Sequence, residues 1–287
     1  MRTARALVPT SVRMEQVIVA VALAILAIMI AMALFGDALA PMDPAAQSLR
    51  ARLKPPGFEG RSGIHWLGTD AVGRDILSLL IAGTLPALLV SVLAVGLAAV
   101  TGVMLGMIAG YRRGRMADLL LYGTNIQLAF PFFLLAVTIV GIARPSVSLV
   151  VFVIALGCWV PFARIAYSET MQVAEQEFIE AVQIMRGSRA RILLRHVLPN
   201  IMPNILVLAS FALGTAIVME SGLSFVGLGV PTQTPTWGRM LSEGRDYMQT
   251  AWWLTVFPGL AIFLLVLSIN ICGERLRDIT DPELVGR

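Results

Sequence analysis

Six apolar stretches dominate the sequence, and each is long enough to cross the hydrocarbon core of a bilayer as a helix. They cover residues 16–36, 84–110, 118–142, 146–167, 201–222 and 252–272. About 20 apolar residues suffice for one crossing, so the pattern predicts six transmembrane helices. Of the 287 residues, 57% are hydrophobic and 14% are charged, whereas soluble domains have roughly 25% charged residues. The sequence therefore predicts an all-α, polytopic membrane protein.

The basic residues near the span ends predict which side of the membrane each loop occupies. Cytoplasmic loops carry an excess of Lys and Arg, and here the short inner segments hold most of them if both termini are cytoplasmic. Arginines precede the first apolar stretch, as they precede the apolar region of a signal peptide. The stretch is longer than the roughly 7–15 residues usual for that region, which favours an uncleaved span. Four tryptophans then fall on the outer side, as expected of an aromatic belt: Trp66, Trp237, Trp252 and Trp253.

One inner segment carries many charges between two apolar spans; it covers residues 177–200 and reads EFIEAVQIMRGSRARILLRHVLPN. At about 100° per residue, one side of its first helix is apolar and the opposite side carries Glu177 and Glu180. The apolar side comprises Phe178, Ala181, Val182 and Met185. Such a helix either lies on the inner leaflet or docks into a groove of a partner protein. Docking is favoured because anionic headgroups repel glutamate.

The second half of this segment predicts a turn and another short helix. Gly187 interrupts the helical pattern because glycine adopts dihedral angles that a helix excludes. A basic helix over 189–197 follows, carries Arg191 and His196, and is expected to end at Pro199. The segment is therefore predicted to be a helix–turn–helix elbow.

Polar residues outside this segment give two further candidate regions. Thr69 and Asp70 are suitable N-cap residues, which predicts a capped helix at the outer membrane surface directly after them. Glu220, at the outer end of the fifth span, is either a hydrogen-bonded structural carboxylate or a gate residue. Asn125 and Gln127, inside the third span, either bind neighbouring helices or line a pathway. Three prolines are expected to kink their spans: Pro131, Pro161 and Pro258.

Residues 177–200 resemble the EAA loop, with which the permeases of ABC importers contact a cytoplasmic ATPase. Further stretches are similar to the C-type permease of the dipeptide, oligopeptide and nickel importer family. These are HWLGTDAVGRDILS at 65–78, LAFPFFLLA at 128–136, LSFVGLGVPTQTPTWGRMLSEGRDYM at 223–248 and GERLRDITDPEL at 273–284. The resemblance implies the type I ABC importer permease fold. It also implies a first unit over 1–83 and a core over 84–287, whose coupling loop is 168–200.

The resemblance assigns expected roles to residues in three regions. ATPase coupling is expected of Glu177, Phe178, Glu180, Ala181, Val182, Met185, Arg186, Gly187, Arg191, His196 and Pro199. Docking of a solute-binding protein on the outer loops is expected of Gly68, Thr69, Asp70, Gly73, Arg74, Asp75 and Trp237. The candidate pathway or gate residues are Asn125, Gln127 and Glu220. Three residues depart from the family pattern: Val182 replaces an alanine, Arg186 replaces a glycine, and Asn125 stands where relatives often have aspartate.

The partners implied by the resemblance are a B-type permease, two ATPase subunits that bind ATP and Mg, a solute-binding protein, and the lipid of a bacterial inner membrane. No cofactor, metal or nucleic acid is expected on this chain. The solute is expected to be short peptides, with nickel chelates, glutathione or another small solute as alternatives.

Two other functional classes are disfavoured by the residues themselves. A P-loop needs a lysine in G-x-x-x-x-G-K-[ST], and Lys54, the one lysine, is followed by Pro55. An intramembrane serine protease needs a base beside its serine, but His65 and His196 are predicted on opposite sides of the membrane. An ion-coupled secondary transporter remains a distant alternative, although it would leave the segment 177–200 without a role. Cys158 and Cys272 lie in apolar stretches and are expected to be free thiols.

Overall fold

The computed structural model describes residues 10–61, 63–143, 146–185, 188–231 and 235–280. Its long helices are α1 (Thr10–Leu39), α2 (Ile76–Arg112), α5 (Val147–Ala174), α8 (Leu198–Phe225) and α10 (Trp253–Thr280). These five regions include helices long and apolar enough to cross a membrane. A sixth unit consists of α3 (Arg115–Ala129) and α4 (Phe132–Ile142), which are bent by 86° at the break between them. The six predicted spans correspond to these six units.

The remaining elements are short and lie between the long helices. They are a 3-10 turn (Leu49–Ala51), the antiparallel hairpin β1 (Phe58–Gly60) and β2 (Gly63–His65), α6 (Glu177–Ile184), α7 (Arg189–Ile192), a π-helical turn (Leu193–Val197), α9 (Trp237–Gly244) and a 3-10 turn (Arg245–Tyr247). The hairpin precedes α2, α6 and α7 connect α5 to α8, and α9 lies between α8 and α10.

Helices α2 and α5 pack at very close range because glycine recurs at every fourth position of α2. Gly102, Gly106 and Gly110 are buried and face backbone atoms of α5. A Cβ built on Gly102 would lie 2.6 Å from the carbonyl oxygen of Trp159, and one on Gly110 would lie 2.6 Å from that of Tyr167. Small residues at this spacing let helix backbones approach closely in membranes. The two helices therefore form one tightly packed unit.

Two apolar clusters hold the other helices to this unit. The first joins α2, α4, α5 and α8, and it includes Ile179 of α6. The second lies nearer the hairpin and joins α1, the beginning of α2, α8, α9 and α10 around the buried Trp237. Since α2 begins at Ile76 and not near residue 84, the predicted domain boundary at residue 83 falls inside one continuous helix.

The bend between α3 and α4 follows from Pro131, which was expected to kink the third span. Proline has no N–H to continue the hydrogen bonds of α3 and disfavours a helical conformation at Phe130. Phe130 is extended (φ −95°, ψ 127°), and its N–H donates to Gln127 O at 3.1 Å. By contrast, α5 and α10 continue through Pro161 and Pro258.

Candidate coupling and transport sites

The loop before α2, which is predicted to be an outer loop, is held together by buried polar contacts of Thr69 and Asp70. The Thr69 hydroxyl accepts from Lys54 N–H at 2.8 Å and donates to the carbonyl of Ala51. Asp70 Oδ1 accepts from the N–H groups of Val72 (2.9 Å) and Arg74 (2.8 Å). The predicted helix that starts at these two residues is therefore wrong, because their side chains close a turn instead of capping a helix.

The N-cap of the following helix is Asp75, and that helix is the membrane-spanning α2 itself. Asp75 Oδ2 accepts from the N–H of Ser78 at 2.9 Å and from its hydroxyl at 2.7 Å, while Oδ1 lies 3.0 Å from His65 Nδ1. Both His65 and Asp75 are buried. The carboxylate therefore fixes the hairpin to the first turn of α2.

Two glycines of the outer motif lie where the chain crosses itself. Gly68 (φ 82°) and Gly73 (φ 79°) adopt left-handed conformations that disfavour other residues. A Cβ on Gly73 would lie 2.7 Å from the carbonyl carbon of Ser48, and one on Gly68 would lie 2.7 Å from Lys54 O. These glycines let the outer motif pack directly on residues 48–54.

The expected aromatic belt is only partly correct. Trp66 and Trp252 are exposed, but Trp237 and Trp253 are buried at 1% and 5% exposure. The indole of Trp237 donates to Leu80 O at 3.0 Å, and that of Trp253 donates to Thr69 O at 3.1 Å. These two indoles fasten α9 and α10 to the start of α2 and to the outer motif, since a buried indole N–H needs an acceptor.

An ion-pair network lies at the surface above these buried contacts. Arg74 Nε lies 2.5 Å from Asp70 Oδ2, and its Nη2 lies 2.9 Å from Glu243 Oε2. Arg239 Nε lies 2.8 Å from Glu243 Oε1. The network borders a cleft of about 500 Å³ between residues 43–47 and α9. Of the predicted docking residues, Arg74 is partly exposed, while Gly68, Thr69, Asp70, Gly73, Asp75 and Trp237 are buried. Their role in docking stays a prediction, and their position indicates that they shape the surface.

Helix α6 is anchored by one side chain and exposes the others. Ile179 is fully buried, and Val182 packs partly against the same cluster. Phe178, Ile184 and Met185 are 40%, 82% and 78% exposed. Of the predicted apolar side, Val182 is half-buried against the chain's own core, whereas Phe178 and Met185 are exposed. Glu177, Glu180 and Ala181 are exposed as well.

The chain after α6 differs from the predicted elbow. Arg186 and Gly187 lie outside the described residues. From Arg189 the chain is helical to Phe225 through the π-helical turn, so the expectation that Pro199 ends a separate helix is wrong. Pro199 has no N–H to bond the carbonyl of Arg195, and the turn before it widens, with Leu198 N–H donating to Leu193 O. Arg191 is exposed and His196 is half-buried on this helix.

The candidate pathway residues of α3 bind side chains and backbone of α5. Gln127 accepts from the indole N–H of Trp159 at 2.6 Å and donates to the carbonyl of Leu156. Asn125 Oδ1 accepts from Arg164 Nη2 at 2.7 Å, and the hydroxyl of Thr124 lies 3.3 Å from the same guanidinium. Helix–helix contact, one of the two interpretations of Asn125 and Gln127, is therefore present, and the pathway role stays a prediction.

Glu220 is fully buried near the C-terminal end of α8, which is predicted to be its outer end. Its Oε1 accepts from the hydroxyl of Ser224 at 2.7 Å, and within the described residues no hydrogen-bond partner is found for Oε2. Gly238 of α9 packs directly on Ser221, where a Cβ would lie 2.8 Å from the Ser221 carbonyl carbon. This burial is the arrangement of a structural carboxylate, and the gate role stays a prediction.

Two features were missed from the sequence although each leaves a signal there. The glycines of α2 form a G-x-x-x-G-x-x-x-G pattern, which is typical of closely packed membrane helices. Arg164 stands inside an apolar stretch, where a charged residue usually has a functional partner or faces water. The prediction of free thiols is confirmed for Cys158 and Cys272.

Comparison with known proteins identifies the family. Residues 102–286 match the family described as "binding-protein-dependent transport system inner membrane component", and residues 18–56 match the "N-terminal TM domain of oligopeptide transport permease C". The second match covers a region whose sequence showed no motif.

Curated relatives extend over most of the chain. A di/tripeptide transport system permease protein of Pseudomonas aeruginosa is 38% identical, over 88% of this chain and 84% of the relative. A dipeptide transport system permease protein of Alkalihalophilus pseudofirmus is 39% identical, over 92% and 85%. A glutathione transport system permease protein of Pectobacterium atrosepticum is 36% identical, over 94% and 88%.

Solved structures support the predicted fold class. A chain of the MetNI methionine ABC transporter, in an inward-facing conformation, matches with a TM-score of 0.57 at 20% identity. The match covers 71% of this chain and 97% of that chain, which shows a shared fold. The predicted type I permease fold is confirmed. The chain therefore belongs to the inner-membrane components of binding-protein-dependent transport systems and is a C-type permease of the ABC importer family.

Proposed function

We propose that this chain forms half of the translocation pathway of an ATP-driven importer, in a bacterial inner membrane and with both termini in the cytoplasm. A B-type permease supplies the other half. Two cytoplasmic ATPase subunits, which bind ATP and Mg, supply the energy, and a solute-binding protein delivers the solute from outside. The chain itself performs no chemistry in this proposal.

The observation that carries the proposal is the exposed apolar surface of α6. Phe178, Ile184 and Met185 project away from the chain's own core, while Ile179 holds the helix to that core. An exposed apolar patch with a charged border is typical of a protein interface. Glu177 and Glu180 in the first turn are exposed acids that suit a partner groove with basic residues at its edge. We therefore assign α6 as the helix that docks on the ATPase.

The cleft between residues 43–47 and α9 is the proposed docking surface for a solute-binding protein. The cleft of about 500 Å³ carries charges of both signs from Asp43, Arg74, Arg239 and Glu243 at its border. The indole of Trp237, at the start of α9, donates to Leu80 O and so holds α9, one side of the cleft, against α2. A firmly held, charged surface suits repeated association with a soluble partner.

Short peptides are the proposed solute. Two of the relatives cited above are named for dipeptides or di- and tripeptides. Glutathione is the alternative, because a relative of similar identity is named for it. The two alternatives are distinguished by identifying the solute that the co-purified binding protein retains.

The docking role is tested by Glu180→Arg, with Glu15→Arg as the matched control. Both glutamates are exposed, but Glu15 lies in the first turns of α1. We expect Glu180→Arg to abolish ATP-driven solute uptake in proteoliposomes and to reduce ATPase co-purification at least about tenfold, which corresponds to about 1.4 kcal/mol of interface energy. Membrane insertion should stay unchanged, and Glu15→Arg should behave as the wild type.

Normal uptake and normal ATPase recovery in Glu180→Arg would refute the docking role. Recovery of transport-competent protein without any ATPase would instead favour the secondary transporter.

A further inference from the structure

The break between α3 and α4 exposes polar backbone groups inside a membrane-spanning unit. The helical hydrogen-bond pattern is interrupted at residues 130–131. The N–H of Phe130 donates to Gln127 O, the carbonyl of Pro131 accepts from Leu135 N–H at 3.2 Å, and the first N–H groups of α4 have no intrahelical acceptor. The Phe130 side chain is 60% exposed, and Pro131 is also exposed. Irregular backbone at membrane depth is tolerated where it is covered by protein or lines a water-filled space, but not against lipid. The break therefore does not face lipid.

Arg164 is held by α3 shortly before this break, since its two acceptors precede Phe130 by five and six residues. Its guanidinium reaches Asn125 Oδ1 at 2.7 Å and Thr124 Oγ1 at 3.3 Å, and both acceptors are neutral. Within the described residues, no carboxylate forms a salt bridge with it. The positive charge at this position is therefore not neutralised within the described part of the chain.

The contact of Arg164 with α3 argues against a simple contact with lipid headgroups. Arg164 lies within the apolar stretch 146–167, three residues before its predicted end, and its acceptor Asn125 lies about 10 Å along α3 from the predicted start of the third stretch at residue 118. A headgroup-seeking arginine extends toward the nearer end of its stretch, whereas this one donates to α3. Charged residues within a span usually face the bundle interior or a water-filled cavity.

We propose that the α3–α4 break lines the aqueous route of the solute, and that Arg164 makes this part of the route attractive to an anionic group of the solute, such as a carboxylate. The inference rests on the proposed importer function. In this inference Arg164 favours solutes with an anionic group, and the backbone around Phe130 forms part of the wall of the aqueous route.

The test places a cysteine at Phe130 and measures its reaction with two water-soluble reagents of opposite charge. The background carries Cys158→Ala and Cys272→Ala, and the assembled importer is used in proteoliposomes during ATP turnover. The reagents are the anionic sulfonatoethyl and the cationic trimethylammonioethyl methanethiosulfonates. Ile28→Cys on the peripheral α1, where the side chain is 53% exposed, is the lipid-facing control.

Two variants remove the proposed charge effect in different ways. Arg164→Gln deletes the cation, and Asn125→Asp keeps Arg164 but places a carboxylate against it with almost no change in shape. A unit charge about 10 Å from the thiol changes the ratio of anionic to cationic reaction rates about fourfold in a water-like medium. We expect Phe130→Cys to react with both reagents, and the ratio to fall about fourfold in either variant.

Three results would overturn the inference. They are a Phe130→Cys thiol that does not react with either reagent, a reactivity no greater than that of Ile28→Cys, and a rate ratio that is the same with and without Asn125→Asp. ATP-driven uptake is measured on the same proteoliposomes. Normal uptake with any of these results refutes the inference alone, whereas absence of ATP-driven uptake by the unmutated chain refutes the proposed function.

Discussion

Replacing Gly102 by alanine tests whether the close packing of α2 on α5 stabilises the protein. The added Cβ would lie 2.6 Å from Trp159 O, 2.8 Å from the Cβ of Phe162 and 3.0 Å from Ala163 N, whereas ordinary contacts begin at 3.4 Å. Two of these three neighbours are backbone atoms, so the clash is not relieved by rotating a side chain. The helices must separate locally by about 0.8 Å, and a gap of that size already forfeits roughly a quarter to a half of the dispersion energy of the atoms along it.

The net effect combines a cost and a gain. Overpacking costs about 1–3 kcal/mol, and exchanging glycine for alanine inside a helix gains about 1 kcal/mol. We therefore expect Gly102→Ala to lower the free energy of unfolding by about 0–2 kcal/mol. At roughly 2–4 °C per kcal/mol, the midpoint of thermal unfolding should fall by up to about 8 °C.

The matched control lies in the same helix. Gly96 is exposed, and a Cβ there would meet no atom within 4 Å. Gly96→Ala should therefore leave the midpoint unchanged or raise it slightly. Thermal unfolding of the purified protein in detergent measures both variants. A midpoint that moves in the same direction and by the same amount in the two variants would contradict the close packing described above.

The outer loop offers two further tests by thermal unfolding. Asp75→Ala removes the N-cap contacts to Ser78 and leaves the buried imidazole of His65 without its partner, so the free energy of unfolding should fall by about 2–4 kcal/mol. Asp75→Asn keeps the shape of the side chain and should lower the free energy of unfolding by less. An equal loss in the two variants would argue against the cap. Gly73→Ala should be more destabilising than Gly57→Ala by about 1–3 kcal/mol, because both glycines have φ near 80° but only Gly73 packs against backbone. Equal effects of the two glycine substitutions would show that backbone strain alone is responsible.

The spans could be predicted from the sequence because a helix that crosses the bilayer needs a minimum number of consecutive apolar residues, which can be counted directly. The start of α2 could not. Thr69, Asp70 and Asp75 are all suitable caps by residue type, and the choice among them depends on contacts with residues 48–54, which are distant in the sequence. Gly73 with its left-handed conformation also excludes a helix at that point.

The candidate sites were predicted less completely for a related reason. Periodicity correctly showed that α6 is amphipathic, but an eight-residue helix has too few turns to separate its buried side from its exposed side. Ile179 is buried in the core and Val182 is partly buried against it, while Phe178 and Met185 are exposed. Which apolar side chain faces the core is decided by the packing of α5 and α8 around it, and that packing is not visible in local periodicity.

The contacts of α5 connect α6, the proposed coupling helix, to the proposed solute route. Ile179 of α6 belongs to the same buried cluster as Val173 near the end of α5, so a displacement of α6 by a docked partner acts on α5 directly. Helix α5 cannot slide easily against α2, because their backbones interlock along the glycine positions. Trp159 and Arg164 of α5 also hold α3 just before its break. A rigid-body movement of α2 and α5 should therefore carry the break with it, so the width of the route beside Phe130 should change with the position of α6.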